Sequence, residues 1–314
     1  MERYLEIKAA EPCKVEDLLL IQAKLTRKQI SQAKFRTGGI CKNGKQCRVT
    51  ERAVSGDVIR VCLEVKETDS RQLESPSEKL SDFSENLQIL YEDQDILAVN
   101  KPAGVVTHPS GSHYRDSLSN QIAAYFRSKG EATRIRSIGR LDRETSGILL
   151  FARNQVAAAR LQKQREEGRL QKTYLAIVEG KFPENDIRKI EIPIAPDPDD
   201  PMKMVISPDG TLPGSKNAVT YCKVVKNYQN KSLIQLHLET GRTHQIRVHM
   251  AGLGHPLLGD TLYNEKRNQE LFKRAALHAW KLEFYHPFTG EKILLEAPFP
   301  LDFESFMREK KRHV

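Results

Sequence analysis

The chain has 314 residues and carries 50 Lys and Arg against 41 Asp and Glu, a net charge of +9. That length accommodates one large domain and a smaller one, each with its own core. The five cysteines, Cys13, Cys41, Cys47, Cys62 and Cys222, are odd in number and make no C-x-x-C pair, which argues against a disulfide framework or a cysteine zinc knuckle. No apolar run approaches the ~20 residues that span a bilayer, and the opening stretch MERYLEIKAAEPCKV lacks the apolar core of a signal peptide. The expectation is a cytoplasmic protein with no membrane association.

In chain order, residues 24–52 are the first distinctive segment, with nine basic side chains against one acidic, Glu51. Such density suits a phosphate backbone, although a solvated lysine-rich face has the same composition. Thr26 is placed to cap a helix over 27–36, which Gly38-Gly39 stops. Ile40-Cys41-Lys42 then leads into an Asn43-Gly44 turn, and Gly56-Asp57 precedes the alternating strand Val58-Ile59-Arg60-Val61. This succession resembles the small RNA-binding module named after ribosomal protein S-four, over about residues 12–64. Its usual L-S-R at the helix start is Leu25-Thr26-Arg27 here, which keeps the capping hydroxyl. The resemblance implies that Arg27, Lys28, Lys34 and Arg36 face RNA. The module is assigned residues 1–65, a small α/β domain. Residues 66–87 are polar and acidic and read as a flexible linker.

Beyond the linker, strands and helices alternate without an internal repeat. Ile148 to Ala152 is an apolar run too short for a helix and suited to a strand covered on both faces. Asn154 caps a helix that stops at Gly168. Thr173 to Val178 and Leu233 to Leu238 read as strands, Thr240-Gly241 as a turn, and Thr243 as the cap of a helix ending near Gly254. The larger domain is assigned residues 88–305, with 306–314 a basic tail.

Gly139-Arg140-Leu141-Asp142-Arg143-Glu144-Thr145-Ser146-Gly147 sets a carboxylate between two arginines just before the buried strand. A charged cluster at a strand entrance fits either a site or a surface ion-pair group. The stretch R-L-D-x-x-T-S-G, however, is the hallmark of the RluA-like pseudouridine synthases. Three further blocks agree in order: Asn100-Lys101-Pro102-Ala103-Gly104 with Thr107-His108-Pro109, then Lys172-Thr173-Tyr174-Leu175-Ala176, then Gly241 to Met250 followed by Gly254-His255-Pro256 and Gly259-Asp260. Together they cover about residues 88–300. Gly139 stands where many members carry histidine, which puts a side-chain role there in question and leaves that of Asp142 intact.

The resemblance implies an α+β fold with a mixed, largely antiparallel central sheet flanked by helices. It implies an isomerase that frees a uracil from its ribose, turns it and re-attaches it through carbon 5, with no cofactor. Asp142 becomes the catalytic carboxylate, acting as nucleophile or as base on the sugar. Tyr174 supplies an aromatic face and a hydroxyl, and Arg247 the two-point partner of Asp142. Arg140, Lys101, His108, Arg242 and His244 are expected to contact the RNA, Arg140 by taking the place of an extruded base. The implied partner is ribosomal or transfer RNA, bound by a monomer. Two other readings compete: an RNA-binding protein without catalysis, acting in ribosome assembly or RNA folding, and a metal-dependent hydrolase using His244, His249 and His255. The second conflicts with helical geometry, because a spacing of five sets His244 and His249 about 140° apart around a helix. No metal is therefore expected.

Overall fold

The computed structural model describes residues 3–63, 87–111, 113–131, 134–183, 187–265 and 272–309. The expected linker lies outside them, except for Leu87, which packs against the core of the larger part.

Residues 3–63 form β1 (Tyr4–Lys8), β2 (Cys13–Lys14), α1 (Val15–Ile21), α2 (Arg27–Lys34), β3 (Ile40–Lys42), β4 (Lys45–Gln46), β5 (Arg52–Ala53) and β6 (Val58–Cys62). Thr26 caps α2 as expected, and more completely. Its hydroxyl accepts from the Gln29 amide while Gln29 Oε1 accepts from the Thr26 amide, a reciprocal capping box. The helix ends at Lys34, two residues short of the expected span. The strands pair antiparallel in the order β1-β6-β3-β4, with β2 on β5. Leu18, Leu19, Ile30, Ala33, Ile59 and Val61 fill a core between sheet and helices.

The larger part is built from β7 (Ile89–Glu92), β8 (Ile96–Lys101), α3 (Leu118–Ser128), β9 (Arg136–Ser137), β10 (Ser146–Ala152), α4 (Gln155–Glu166), β11 (Gln171–Glu179), β12 (Arg188–Glu191), β13 (Ile194–Pro196), β14 (Met204–Ile206), β15 (Val219–Tyr228), β16 (Lys231–Leu238), α5 (Gln245–Gly252), β17 (Leu277–Tyr285), β18 (Lys292–Glu296) and α6 (Leu301–Glu309). Eight strands follow one another as β12-β15-β16-β11-β17-β10-β8-β7, with β18 beside β17 and β9 beside β10. Only β10 and β17 run parallel, so the sheet is mixed and largely antiparallel, as the resemblance implied.

Period-2 alternation gives each strand two apolar faces. Leu97, Val99, Leu149 and Phe151 meet Ile122 and Phe126 of α3 on one side, while Ile96, Ala98, Ile148 and Leu150 meet Ala157 and Leu161 of α4 on the other. That is why Ser146–Ala152 is buried throughout. Helix α6 covers Leu175, Ile177 and Leu233 with Phe303 and Phe306. This corrects the expected tail: residues 306–309 complete a docked helix, because Phe306 finds an apolar pocket.

The two parts are packed together. Val156 of α4 joins the core of residues 3–63, and Phe288 packs against it. Arg3 grips Asp95 with two hydrogen bonds, of 2.9 and 3.0 Å. Arg160 donates to the carbonyls of Ala23 and Pro287, and the Phe288 ring lies 5.2 Å from the Arg3 guanidinium and 4.6 Å from that of Arg160.

Candidate active site

Asp142 lies on the turn that feeds β10, and buried hydrogen bonds fix that turn from beneath. Thr107 Oγ1 donates to the Leu141 carbonyl at 3.0 Å and accepts from the Leu141 amide at 3.3 Å. The Gly104 amide donates to the Arg143 carbonyl at 2.8 Å, and Arg143 Nε returns a bond to Gly104 O. Lys101 is wholly buried, and its ammonium donates to the carbonyls of Pro102, Val105 and Arg143 at 2.8, 2.7 and 3.2 Å. The expectation that Lys101 faces RNA therefore fails. Its side chain folds back into the protein and staples the 102–105 loop to the Asp142 turn, and burial draws its pKa down to about 7 although Asp142 pulls it up. At Gly147 a Cβ would come within 2.2 Å of the Ala279 carbonyl, so the last residue of the hallmark motif is glycine because β17 passes against it.

Above the turn opens a cavity of about 1130 Å³, lined by Asp142, Tyr174, Arg140, His108, Arg242, His244 and Arg247 among others. The site thus gathers residues separated by more than a hundred positions in sequence. Tyr174 projects from β11 where β17 carries an extra residue, Trp280, a bulge that re-aims side chains beside a site. The phenol is nearly buried, and burial, then the charge of Asp142, raise its pKa against the opposing pull of Arg165. It is a neutral donor at ordinary pH.

Arg247, on the first turn of α5, has a different partner from the one expected. Its Nε and Nη2 donate to the two carboxylate oxygens of Asp260, both at 2.7 Å, and both side chains are buried. Burial disfavours its charge, but Asp260 first and Asp142 second reverse this and raise its pKa. Asp142 is therefore an electrostatic neighbour and Asp260 the two-point partner. Sequence reasoning quoted Gly259-Asp260 without giving the aspartate a task. It also passed over Tyr263, whose ring lies 5.0 Å from the Arg247 guanidinium and whose hydroxyl bonds His244 Nδ1 at 2.8 Å. Nothing local in the sequence ties Tyr263 to His244.

His244 itself, not Thr243, precedes α5. Its backbone is left-handed, φ 54°, and its side chain makes no cap; Gln245 Oε1 instead accepts from the Arg242 amide and the Thr240 hydroxyl. His108 bridges Ser119 and Ser137, at 2.9 and 2.7 Å, and desolvation together with Arg140 lowers its pKa. Arg140 and Arg242 are exposed at the rim, and Arg242 Nε donates to the Asn217 carbonyl. Arg27, Lys28, Lys34 and Arg36 lie elsewhere, in the N-terminal part; the first three are exposed, while Arg36 is half-buried with Nη1 3.7 Å from Cys62 Sγ. The histidines considered for a metal are separately engaged: His249 with Thr220 and the Ile192 carbonyl, His255 with the Glu179 carbonyl.

Residues 95–252 match the family model described as RNA pseudouridylate synthase. The chain belongs to that family. It is 40% identical to the uncharacterized RNA pseudouridine synthase YhcT of Bacillus subtilis (strain 168), over 84% of this chain and 85% of that protein. It is 35% identical to ribosomal large subunit pseudouridine synthase D of Neisseria meningitidis serogroup A, over 85% of this chain and 71% of the relative. Human RNA pseudouridylate synthase domain containing 4 shares the fold, with a TM-score of 0.62 and 24% identity over 74% of this chain and 97% of that one. The protein is accordingly an isomerase of RNA, a pseudouridine synthase. Among the described residues of this synthase, no helix is long and apolar enough to cross a membrane.

Proposed function

We propose that this synthase converts uridines of large-subunit ribosomal RNA to pseudouridine in the cytoplasm, with Asp142 as the catalytic carboxylate. The observation that carries the reading is the placement of that carboxylate. It stands on a turn held by Lys101, Thr107 and Gly104, at the wall of a cavity wide enough for a nucleotide and beside a buried tyrosine. Rigid support of this kind is what a reacting group needs, since small displacements cost large factors in rate. Breaking the glycosidic bond calls for a nucleophile or a base at the sugar, and a carboxylate can be either. Tyr174 offers its face to the freed uracil and its hydroxyl as a donor. Arg247, locked by Asp260, adds a fixed positive charge to the site. The name of the Neisseria relative favours ribosomal RNA as substrate, and residues 3–63 serve as an S-four-like RNA anchor.

Replacing Asp142 by Asn should abolish tritium release from carbon 5 of labelled uridine while leaving RNA affinity within a few-fold. Affinity is spread over many phosphate contacts and chemistry is not. Turnover by the Asn variant would remove Asp142 from the mechanism.

A further inference from the structure

Gly139 sits on the cavity wall, three residues before Asp142, with a left-handed backbone of φ +82°. A Cβ there would lie 3.1 Å from Nη1 of Arg165. The arginine from the last turn of α4 thus lies over the space that a side chain at 139 would claim, where many relatives of RluA type carry histidine. Arg165 is exposed, lines the same cavity as Asp142 and Tyr174, and makes no hydrogen bond or ion pair among the described residues.

Lys172 is the second element. It lies on β11 two residues before Tyr174, hence on the same face, and its side chain also lines the cavity without an acidic partner. Burial first, then repulsion from Arg165, draw its pKa down to about 8, so the two cations feel each other and nothing in the protein separates them. The carboxylates nearby are engaged elsewhere. Glu167 is taken by Arg169 and Lys163, Glu166 accepts from Gln162 Nε2, and Glu239 accepts from the Tyr221 hydroxyl. Two unpaired, mutually repelling cations at the wall of an RNA site are most readily satisfied by an anion from the substrate.

We propose that Arg165, lying over Gly139, and Lys172 form a subsite for a backbone phosphate of the RNA strand beside the target uridine. This rests on the reading of the cavity as the isomerisation site. The subsite faces Asp142 from the α4 side, whereas Arg242 and His244 approach from α5, so the strand is held on both flanks of the reacting nucleotide. An arginine can bind such a phosphate through two parallel hydrogen bonds, and the lysine adds a point charge.

The test uses single-turnover kinetics with enzyme in excess over whole-cell RNA, labelled with tritium at carbon 5 of uridine, from cells lacking the gene. Arg165→Gln and Lys172→Gln should each raise the half-saturating enzyme concentration, on the order of tenfold, and flatten its logarithmic salt dependence by about 0.7–0.9. The rate at saturation should stay within about twofold. Arg165→Lys should recover most of the loss, and Gly139→His should reproduce the Arg165→Gln phenotype by displacing the guanidinium. An unchanged salt slope, or a fall in the saturated rate at unchanged half-saturation, would overturn the subsite. The second result would make Arg165 an influence on Tyr174 instead. If the parent enzyme released no tritium at all, the reading of the cavity itself would fail, which is a different result from a working parent with unaffected variants.

Discussion

On α2 of the N-terminal part, Arg27, Lys28 and Lys34 stand in solvent while Ile30 and Ala33 of the same helix face the core. In the larger part the charges nearest the chemistry are inside the protein, and each is held. Lys101 is held by three carbonyls, Arg247 by two oxygens of Asp260, and the Asp142 turn by Thr107. A solvated cation costs little to keep and gives affinity that tolerates an ångström of play. A buried one is expensive unless fully paired, and the pairing that makes it tolerable also fixes its position. The difference marks which cations serve attachment and which serve chemistry, and it can be broken at either end.

The largest effect should come from Arg247→Met. The variant leaves Asp260 buried without its counter-charge, and breaking one side of such a pair costs about 3–5 kcal/mol. Urea denaturation should show the loss, and tritium release should fall with it. Adding Asp260→Leu should restore much of the stability without restoring activity, because the fixed positive charge next to Asp142 is still missing. Recovery of turnover in the double variant would reduce Arg247 to a purely structural role.

How much of this the sequence disclosed follows from how local each signal is. Helix α4 was legible from end to end, because Asn154 and Gly168 act within a few residues of the helix they bound. The strand Ser146–Ala152 declared itself through its unbroken apolar run. The two corrections at the site have long-range causes. Lys101 looks like any lysine beside a turn until Arg143, 42 residues away, brings its carbonyl over. Arg247 is drawn to Asp260 by the fold of the 253–260 segment, and neither residue's immediate neighbours encode that approach. The docking of residues 3–63 through Arg3, Arg160 and Phe288 was equally invisible, since it joins positions on both sides of the acidic segment.

Lys101→Met should come second. It removes the donor from three buried carbonyls, a loss of about 2–3 kcal/mol, and it should slow turnover by loosening the Asp142 turn. The effect carries a pH signature. The folded pKa, about 7, lies below the ordinary 10.5, so between those values the unfolded chain binds the extra proton, and raising the pH stabilises the fold. Below pH 7 both states are charged, and the full cost of burying the ammonium is present. The parent's advantage over the Met variant should therefore grow from pH 7 to 9, by at most about 1.4 kcal/mol per unit. Parallel stability curves for the two proteins would show that Lys101 keeps its ordinary pKa despite burial.

The smallest effect on stability should come from the exposed end of the comparison, Arg27→Gln, Lys28→Gln and Lys34→Gln combined. None of the three touches the core, so the fold should change by less than about 0.5 kcal/mol. Arg36 is left alone because its guanidinium reaches Cys62 and its loss would disturb packing. If α2 is the RNA face of the module, three phosphate contacts disappear. The slope of log affinity against log salt should then fall by about 2, while the saturated single-turnover rate stays at the parent's value. That combination separates attachment from chemistry more cleanly than deleting residues 1–63. Deletion would also uncover Val156 and Phe288 and leave Asp95 without Arg3, so lost affinity and lost stability would be mixed. An unchanged salt slope in the triple variant would move the RNA contacts of residues 3–63 off α2. A reduced saturated rate would mean instead that α2 reaches the reacting strand, and that the two regions are less separate in function than their charges suggest.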